Sequence, residues 1–236
     1  MKAKRRTDDK RQRILDAAVS VFAQKGFFAS RINDVASAAG IADGTVYLYF
    51  ESKDDILIKL FDEVMGEHIE AARQEIRRVE DAAACLRIIA DHHLGLLGRN
   101  PDLAVVFQVE LRQSTKFMEM FTASWLMEYF DLVEGAIAAG QKQGTFRADL
   151  SRKMATHAFF GALDALVTSW VLARNSFDLT ELAGPVVELF LTGASARTAA
   201  ATTQATTTVA ATATTAATKT ANSKTTATTM TPPRRR

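Results

Sequence analysis

Apolar side chains along this 236-residue chain recur every three or four positions, the spacing of helices that bury one face. Ile14, Leu15, Ala18, Val21 and Phe22 predict a first helix over about 9–25, stopped by Gly26. Ile32, Val35, Ala36 and Ala39 predict a second, capped by Ser30 and ended at Gly40, which tolerates φ > 0. Only Val46 and Phe50 can turn inward in the next stretch, so a short helix follows the tight turn. Two helices joined in this way are the helix-turn-helix pattern, whose second helix enters the major groove of DNA.

Ser52-Lys53-Asp54-Asp55 then sets a hydroxyl cap and carboxylates where a helix N-terminus favours them. Ile56, Leu57, Leu60, Phe61, Val64, Ile69 and Ile76 carry this helix to about Val79, long enough to relay a displacement from a body to the reader. Further helical stripes cover 83–98, 103–112, 118–137, 151–173 and 179–191. Asn100-Pro101 starts the second of these. Gly140 and Gly144 close the third, and Asp178 with Glu181 forms a capping box for the last, where Pro185 marks a kink or the true start. No segment alternates like a strand. The expected fold is all-α, with about nine helices: a flexible basic arm over 1–8, a reader over 9–53, and a connector and bundle over 54–196.

Charge sharpens this division. The net charge is +2, but residues 1–13 hold seven basic and two acidic side chains, 14–196 hold sixteen and twenty-five, and 197–236 hold six and none. Attraction to a polyanion is confined to the ends, which suggests a docked end and a body held away from DNA. Residues 198–231 contain 27 Ala or Thr and no apolar period, so a disordered linker is expected, ended by Pro232-Pro233 and three arginines. The first thirteen residues lack the apolar core of a signal peptide, and the best candidate for a membrane span, 158–172, is short and contains Asp164. A cytoplasmic protein without membrane contact is expected.

Candidate chemistry is binding rather than catalysis, since no Ser-His-Asp order, phosphate loop or carboxylate pair stands out. Cys85 is alone and reads as a packed small hydrophobe. His68, His92, His93 and His157 show no i, i+4 pair of a helical zinc site, so no metal is expected. Thr45, Tyr47, Tyr49 and Lys53 offer a hydroxyl, two phenols and an ammonium to phosphates and base edges. In the body, Phe107, Phe117, Met118, Met120, Phe121, Trp125, Met127, Phe130, Phe159, Phe160 and Trp170 sit at core spacing, but such a lining also suits a long apolar ligand.

The reader resembles the TetR-type transcriptional repressors through Gly26-Phe27, Ile32, Val35-Ala36, Ala39-Gly40-Ile41, Gly44 to Phe50 and Ser52-Lys53. The body is similar to the acyl-CoA-responsive fatty-acid-degradation repressors of that family. The matching stretches there are Asp54 to Ile58, Glu110-Leu111-Arg112-Gln113-Ser114 and Gly161 to Val171. One departure is Ala42, where many members carry Ser or Thr, with Asp43 beside it as the N-terminal acid.

The resemblance implies a homodimer that reads a palindromic operator in double-stranded DNA and is released when an apolar effector, long-chain acyl-CoA, fills each bundle, with no cofactor. It implies DNA contacts from Ser30, Arg31, Asn33, Gly44, Thr45, Tyr47, Tyr49 and Lys53, with Tyr49 and Lys53 on phosphates and Arg31 reaching a base edge. It implies an acyl tunnel lined by Phe107, Met118, Phe121, Trp125, Phe159 and Trp170. Arg112 and Lys116 would meet the CoA phosphates, with Arg73, Arg77 and Arg99 as further cations. The last two helices would form the dimer interface through Leu163, Leu166, Val167, Val186, Leu189 and Phe190, with Gly161, Ala162 and Ala165 permitting close approach. The competing readings are a multidrug- or small-aromatic-responsive repressor and a non-specific architectural DNA-binding protein.

Overall fold

The computed structural model of the chain describes residues 2–121 and 125–195, with side chains over 9–119 and 125–195. The tail expected over 197–236 lies outside the described residues. Ten α-helices occur among them: α1 Lys2–Lys25, α2 Ile32–Ala39, α3 Asp43–Val46, α4 Lys53–Ile76, α5 Ala82–Gly98, α6 Pro101–Val105, α7 Thr115–Phe121, α8 Met127–Gln143, α9 Arg152–Leu172 and α10 Ala183–Ala194. The all-helical expectation holds for them.

The first helix starts earlier than its apolar stripe. Residues 2–8 continue α1 rather than forming an arm, because they contain neither Gly nor Pro and consist mainly of good helix formers. Phe22, Phe27, Val35, Val46 and Phe50, each at most 2% exposed, fill the centre of the three-helix reader. At Gly40 the chain turns with φ 65°, and the next amide, Ile41 N–H, donates to Ala36 O at 3.0 Å. The α3 helix has four residues. Beyond Val46 the chain tightens, Leu48 N–H donating to Thr45 O and Tyr49 N–H to Val46 O. Ser52 caps α4 as its sequence predicts, its hydroxyl accepting from Asp55 N–H while Asp55 accepts from Glu51 N–H.

The bundle departs further from its pattern. The 103–112 stripe is α6 running into a π-helical turn over Val106–Glu110 and then a 3₁₀ turn over Leu111–Gln113. The single helix expected over 118–137 is split into α7 and α8. Asp178 accepts from both the amide and the hydroxyl of Thr180, so a 3₁₀ turn over Thr180–Leu182 replaces the expected capping box. Pro185 lies in the first turn of α10, where its missing N–H costs nothing, so it marks a true start. By length and composition α9 could cross a membrane, contrary to the expectation for this stretch; it packs against α5, α8 and α10, and its Asp164 faces a cavity.

Candidate functional site

Three places carry the chemistry: the reader surface, the turn behind it, and a cavity in the bundle. On the reader, Arg31, Asn33, Gly44 and Tyr47 are exposed and Thr45 is half-buried. Asn33 Nδ2 donates to both carboxylate oxygens of Asp43, at 3.1 and 2.9 Å, which pins the start of α3 to α2. Of the two tyrosines expected at DNA, one is turned away from the surface. Tyr47 is 59% exposed, whereas Tyr49 is half-buried against the core, because the tightened backbone after Val46 turns it inward.

Ser30 and Lys53 depart from expectation as well. Ser30 is 3% exposed and its hydroxyl donates to Gly26 O at 2.6 Å, so it holds the α1–α2 turn. The cap of α2 is instead Arg31, whose N–H donates to Asp34 Oδ2. Lys53 Nζ donates to Phe27 O at 2.6 Å, Ser30 O at 2.8 Å and Phe28 O at 3.3 Å, and lies 4.5 Å from the centre of the Phe27 ring. All three ammonium protons are used, and burial holds its pKa below the ordinary lysine value. In this conformation it is a tie within the reader rather than a phosphate hand.

Phe27 is where the reader meets the bundle. Its N–H donates to Glu110 Oε2 at 2.7 Å, a buried bond across 83 residues, while its ring packs edge-on against Phe22, Phe28 and Phe117. Glu110 is 6% exposed and ends the π-helical turn. Secondary ties join the same halves, Ser20 to Asp102 and Arg11 to Glu63, while Lys116 ties α7 to the start of α4 through Asp54 at 3.1 Å. In the sequence Glu110 stands out only as part of the Glu110-Leu111-Arg112-Gln113-Ser114 stretch. No periodicity marks a carboxylate that will be buried by a turn 83 positions away.

The bundle encloses a cavity of about 270 Å³. Its apolar lining includes Met65, Ile69, Ile89, Leu96, Phe107 and Leu111, and its polar lining is His68, His92, His93, Gln108, Arg112, Tyr129 and Asp164. Of the expected tunnel residues, Phe107 and Met118 line it, and so does Arg112, one of the expected phosphate cations. Phe159 is fully buried against Phe190, Trp170 donates its indole N–H to Phe177 O, and Trp125 donates to Asp62 at 2.8 Å; these three serve packing and connection, since their helix faces point past the cavity. Lys116 is exposed and bound to Asp54, away from the cavity. The Phe121 side chain lies outside those described.

Arg112 pairs with Asp164 of α9, which also accepts from Gln108 at 3.1 Å. Burial lowers His93 to about 4 and raises Tyr129 above the ordinary phenol value, so both are neutral near pH 7. Among the described residues no cluster could hold a metal ion. Cys85 is buried with its thiol pushed up by desolvation, the setting of an inert thiol.

On the last two helices, Leu163 and Val167 are fully buried within the chain, which removes them from the expected interface. Their α9 face points at the core. The opposite face leaves Ala158, Gly161, Ala165 and Ser169 exposed, together with Leu172 and Leu189, each 76% exposed. Leu166, Val186 and Phe190 are half-buried at the border between the two faces.

Comparison with known proteins gives this architecture its class. Residues 14–60 match the TetR family of bacterial regulatory proteins, and residues 61–193 match the C-terminal region of YsiA-like proteins. The chain belongs to the TetR family and is a DNA-binding transcriptional regulator rather than an enzyme. It is 38% identical over 193 residues to the fatty acid metabolism regulator protein of Bacillus subtilis, covering 82% of this chain and 98% of that protein. Its fold is similar to that of the fatty acid degradation regulator FadR of Bacillus halodurans, with TM-score 0.72 and 38% identity over 76% of this chain and 97% of that one. It is also similar to FadR of Bacillus subtilis solved in complex with stearoyl-CoA, with TM-score 0.73 and 37% identity over 77% of this chain and 98% of the other.

Proposed function

We propose that this regulator represses fatty-acid degradation as a homodimer on a palindromic operator and is released when long-chain acyl-CoA enters the bundle cavity. The observation that carries the reading is the continuity of the π-helical turn. Phe107 and Gln108 line the cavity, and two residues later Glu110 grips the backbone of Phe27 in the reader. At about 270 Å³ the cavity lies at the lower edge of the roughly 300–1,000 Å³ of ligand pockets, so a long chain that fills it presses on its walls. A moved π turn shifts Glu110, and with it the α1–α2 turn that Lys53 holds to the start of α4. The stearoyl-CoA bound by the similar Bacillus subtilis protein supports an effector of this class.

Arg31, Asn33, Thr45 and Tyr47 are the side chains offered to DNA. The exposed small-residue face of α9 together with Leu189 is the surface for the second subunit, which a reader of paired half-sites requires. Arg112 is the cation for the CoA moiety, and it exchanges Asp164 for a ligand phosphate. Fluorescence anisotropy on operator DNA tests the coupling. Saturating acyl-CoA weakens binding by about 5- to 150-fold, the usual range of allosteric coupling. In Glu110→Ala the factor falls toward one while direct acyl-CoA binding persists. A wild-type response in that variant rejects Glu110 as the relay, and a wild-type protein that stays on DNA at saturation rejects the effector.

A further inference from the structure

Two of the polar groups that line the cavity, His93 and Tyr129, are bonded to each other. His93 on α5 and Tyr129 on α8 make one hydrogen bond of 3.2 Å between Nδ1 and the phenol oxygen, their rings edge-on at 5.5 Å. Phe160 shields both, at 5.9 and 5.6 Å between ring centres. A neutral imidazole and a neutral phenol have two protons to donate between them, one N–H and one O–H. Their mutual bond uses one. If the tyrosine donates, His93 Nε2–H is left; if the histidine donates, the Tyr129 hydroxyl is left. Either tautomer keeps one uncharged donor in an apolar enclosure.

The charges beside this pair are already matched. Asp164 accepts from Gln108 and from the Arg112 guanidinium, and Gln108 Oε1 accepts from the Thr168 hydroxyl at 3.0 Å. Of the other histidines in the wall, His92 faces Glu75 at 3.0 Å and His68 bonds Val64 O at 3.0 Å. A ligand carboxylate on this side surrenders its own hydration while the Arg112 guanidinium is already held by Asp164. A neutral carbonyl takes the remaining donor without that cost.

We propose that the His93–Tyr129 pair is a carbonyl-reading subsite, which accepts the thioester oxygen of an acyl-CoA and discriminates against the carboxylate of a free fatty acid. This rests on the acyl-CoA reading given above. Arg112, on the same wall and half open to solvent, then lies toward the CoA end of the ligand. The pair acts by recognition alone; no bond is made or broken.

Operator release by three probes tests it: hexadecanoyl-CoA, its thioether analogue S-hexadecyl-CoA, which lacks the carbonyl, and hexadecanoate. With the wild-type protein the thioether requires about tenfold more ligand than the thioester, the worth of one buried hydrogen bond, and hexadecanoate more still. In Tyr129→Phe and His93→Leu, checked for intact operator binding without ligand, the thioester-to-thioether ratio falls to about one in whichever variant removes the free donor. Equal potency of thioester and thioether on the wild-type protein overturns the subsite and leaves the acyl-CoA reading standing. Release by hexadecanoate at the thioester concentration also overturns it. Failure of both CoA compounds to release the protein overturns the reading on which it rests.

Discussion

The reader and the bundle are built from the same helical period, yet one closes around a filled core and the other around a void. In the reader, Phe22, Phe27 and Phe50 are buried to 2% or less, and the Phe22 and Phe27 rings meet edge-on. In the bundle the α6 stripe underwinds and then overwinds through π and 3₁₀ turns, and Phe107, Gln108 and Leu111 on it border the cavity. Filled cores fix one geometry, because each side chain has partners on every side. A wall that has partners on one side only can move, and π turns are frequent where helices serve function. The difference assigns sensing to the bundle and rigid delivery to the reader.

The sharpest way to break this comparison is to truncate a ring on each side. Phe22→Ala should cost about 3–5 kcal/mol, the usual range for a fully buried phenylalanine. Phe107→Ala should cost about 1 kcal/mol less or better, since its ring already borders the cavity beside Phe61. Denaturant unfolding of the two variants measures the gap, and equal losses would mean that the bundle is as tightly packed as the reader.

Acid exposes the second difference. His93 has a folded pKa of about 4 against 6.5 when unfolded, so the unfolded chain binds the extra proton first. The stability this neutral histidine allows is therefore intact above about pH 6.5 and is lost as pH falls toward 4, by an amount on the order of 3 kcal/mol. His93→Gln should flatten the pH dependence of unfolding in that window. An unchanged slope would place the acid sensitivity elsewhere.

Filling the void gives the smallest change in stability and the cleanest one in function. Ala72 is buried and lines the cavity from α4, so Ala72→Leu should add about 0.5–1 kcal/mol while reducing the response of operator binding to acyl-CoA. Unaltered release would show that ligand enters somewhere other than this space.

The reader was largely legible from its residues. The Gly26 and Gly40 stops, the Ser52 cap and the inward Val46 and Phe50 need only neighbours within a turn or two, and the structure has them so. Side-chain assignments at its surface were less legible. Ser30 and Lys53 look like DNA-facing polar residues in the sequence, and they are spent on backbone carbonyls of the α1–α2 turn, because carbonyls that no helix satisfies compete for every nearby donor. Tyr49 turns toward the core for a backbone reason, since α3 ends after four residues and the helical period no longer predicts its face.

In the bundle, period and composition defined the helices and an apolar load rich in methionine and aromatic residues, but not which of these residues face one another. Phe159 and Trp170 look equivalent to Phe107 and Met118 by spacing, and only the packing angles of α9 set the first pair in the core and the second on the cavity. Leu163 and Val167 likewise carry the right chemistry for an interface on a helix whose other face is the exposed one.

The sequence by itself determined most of the helices, the turn chemistry of the reader and the family, since each of these is written in residues close together along the chain. Tertiary structure alone decided the cavity, the His93–Tyr129 pair and the bond from Glu110 to Phe27. Each of those joins groups 36 to 83 positions apart, or an empty space that no residue encodes, and is fixed only when several helices have packed against one another.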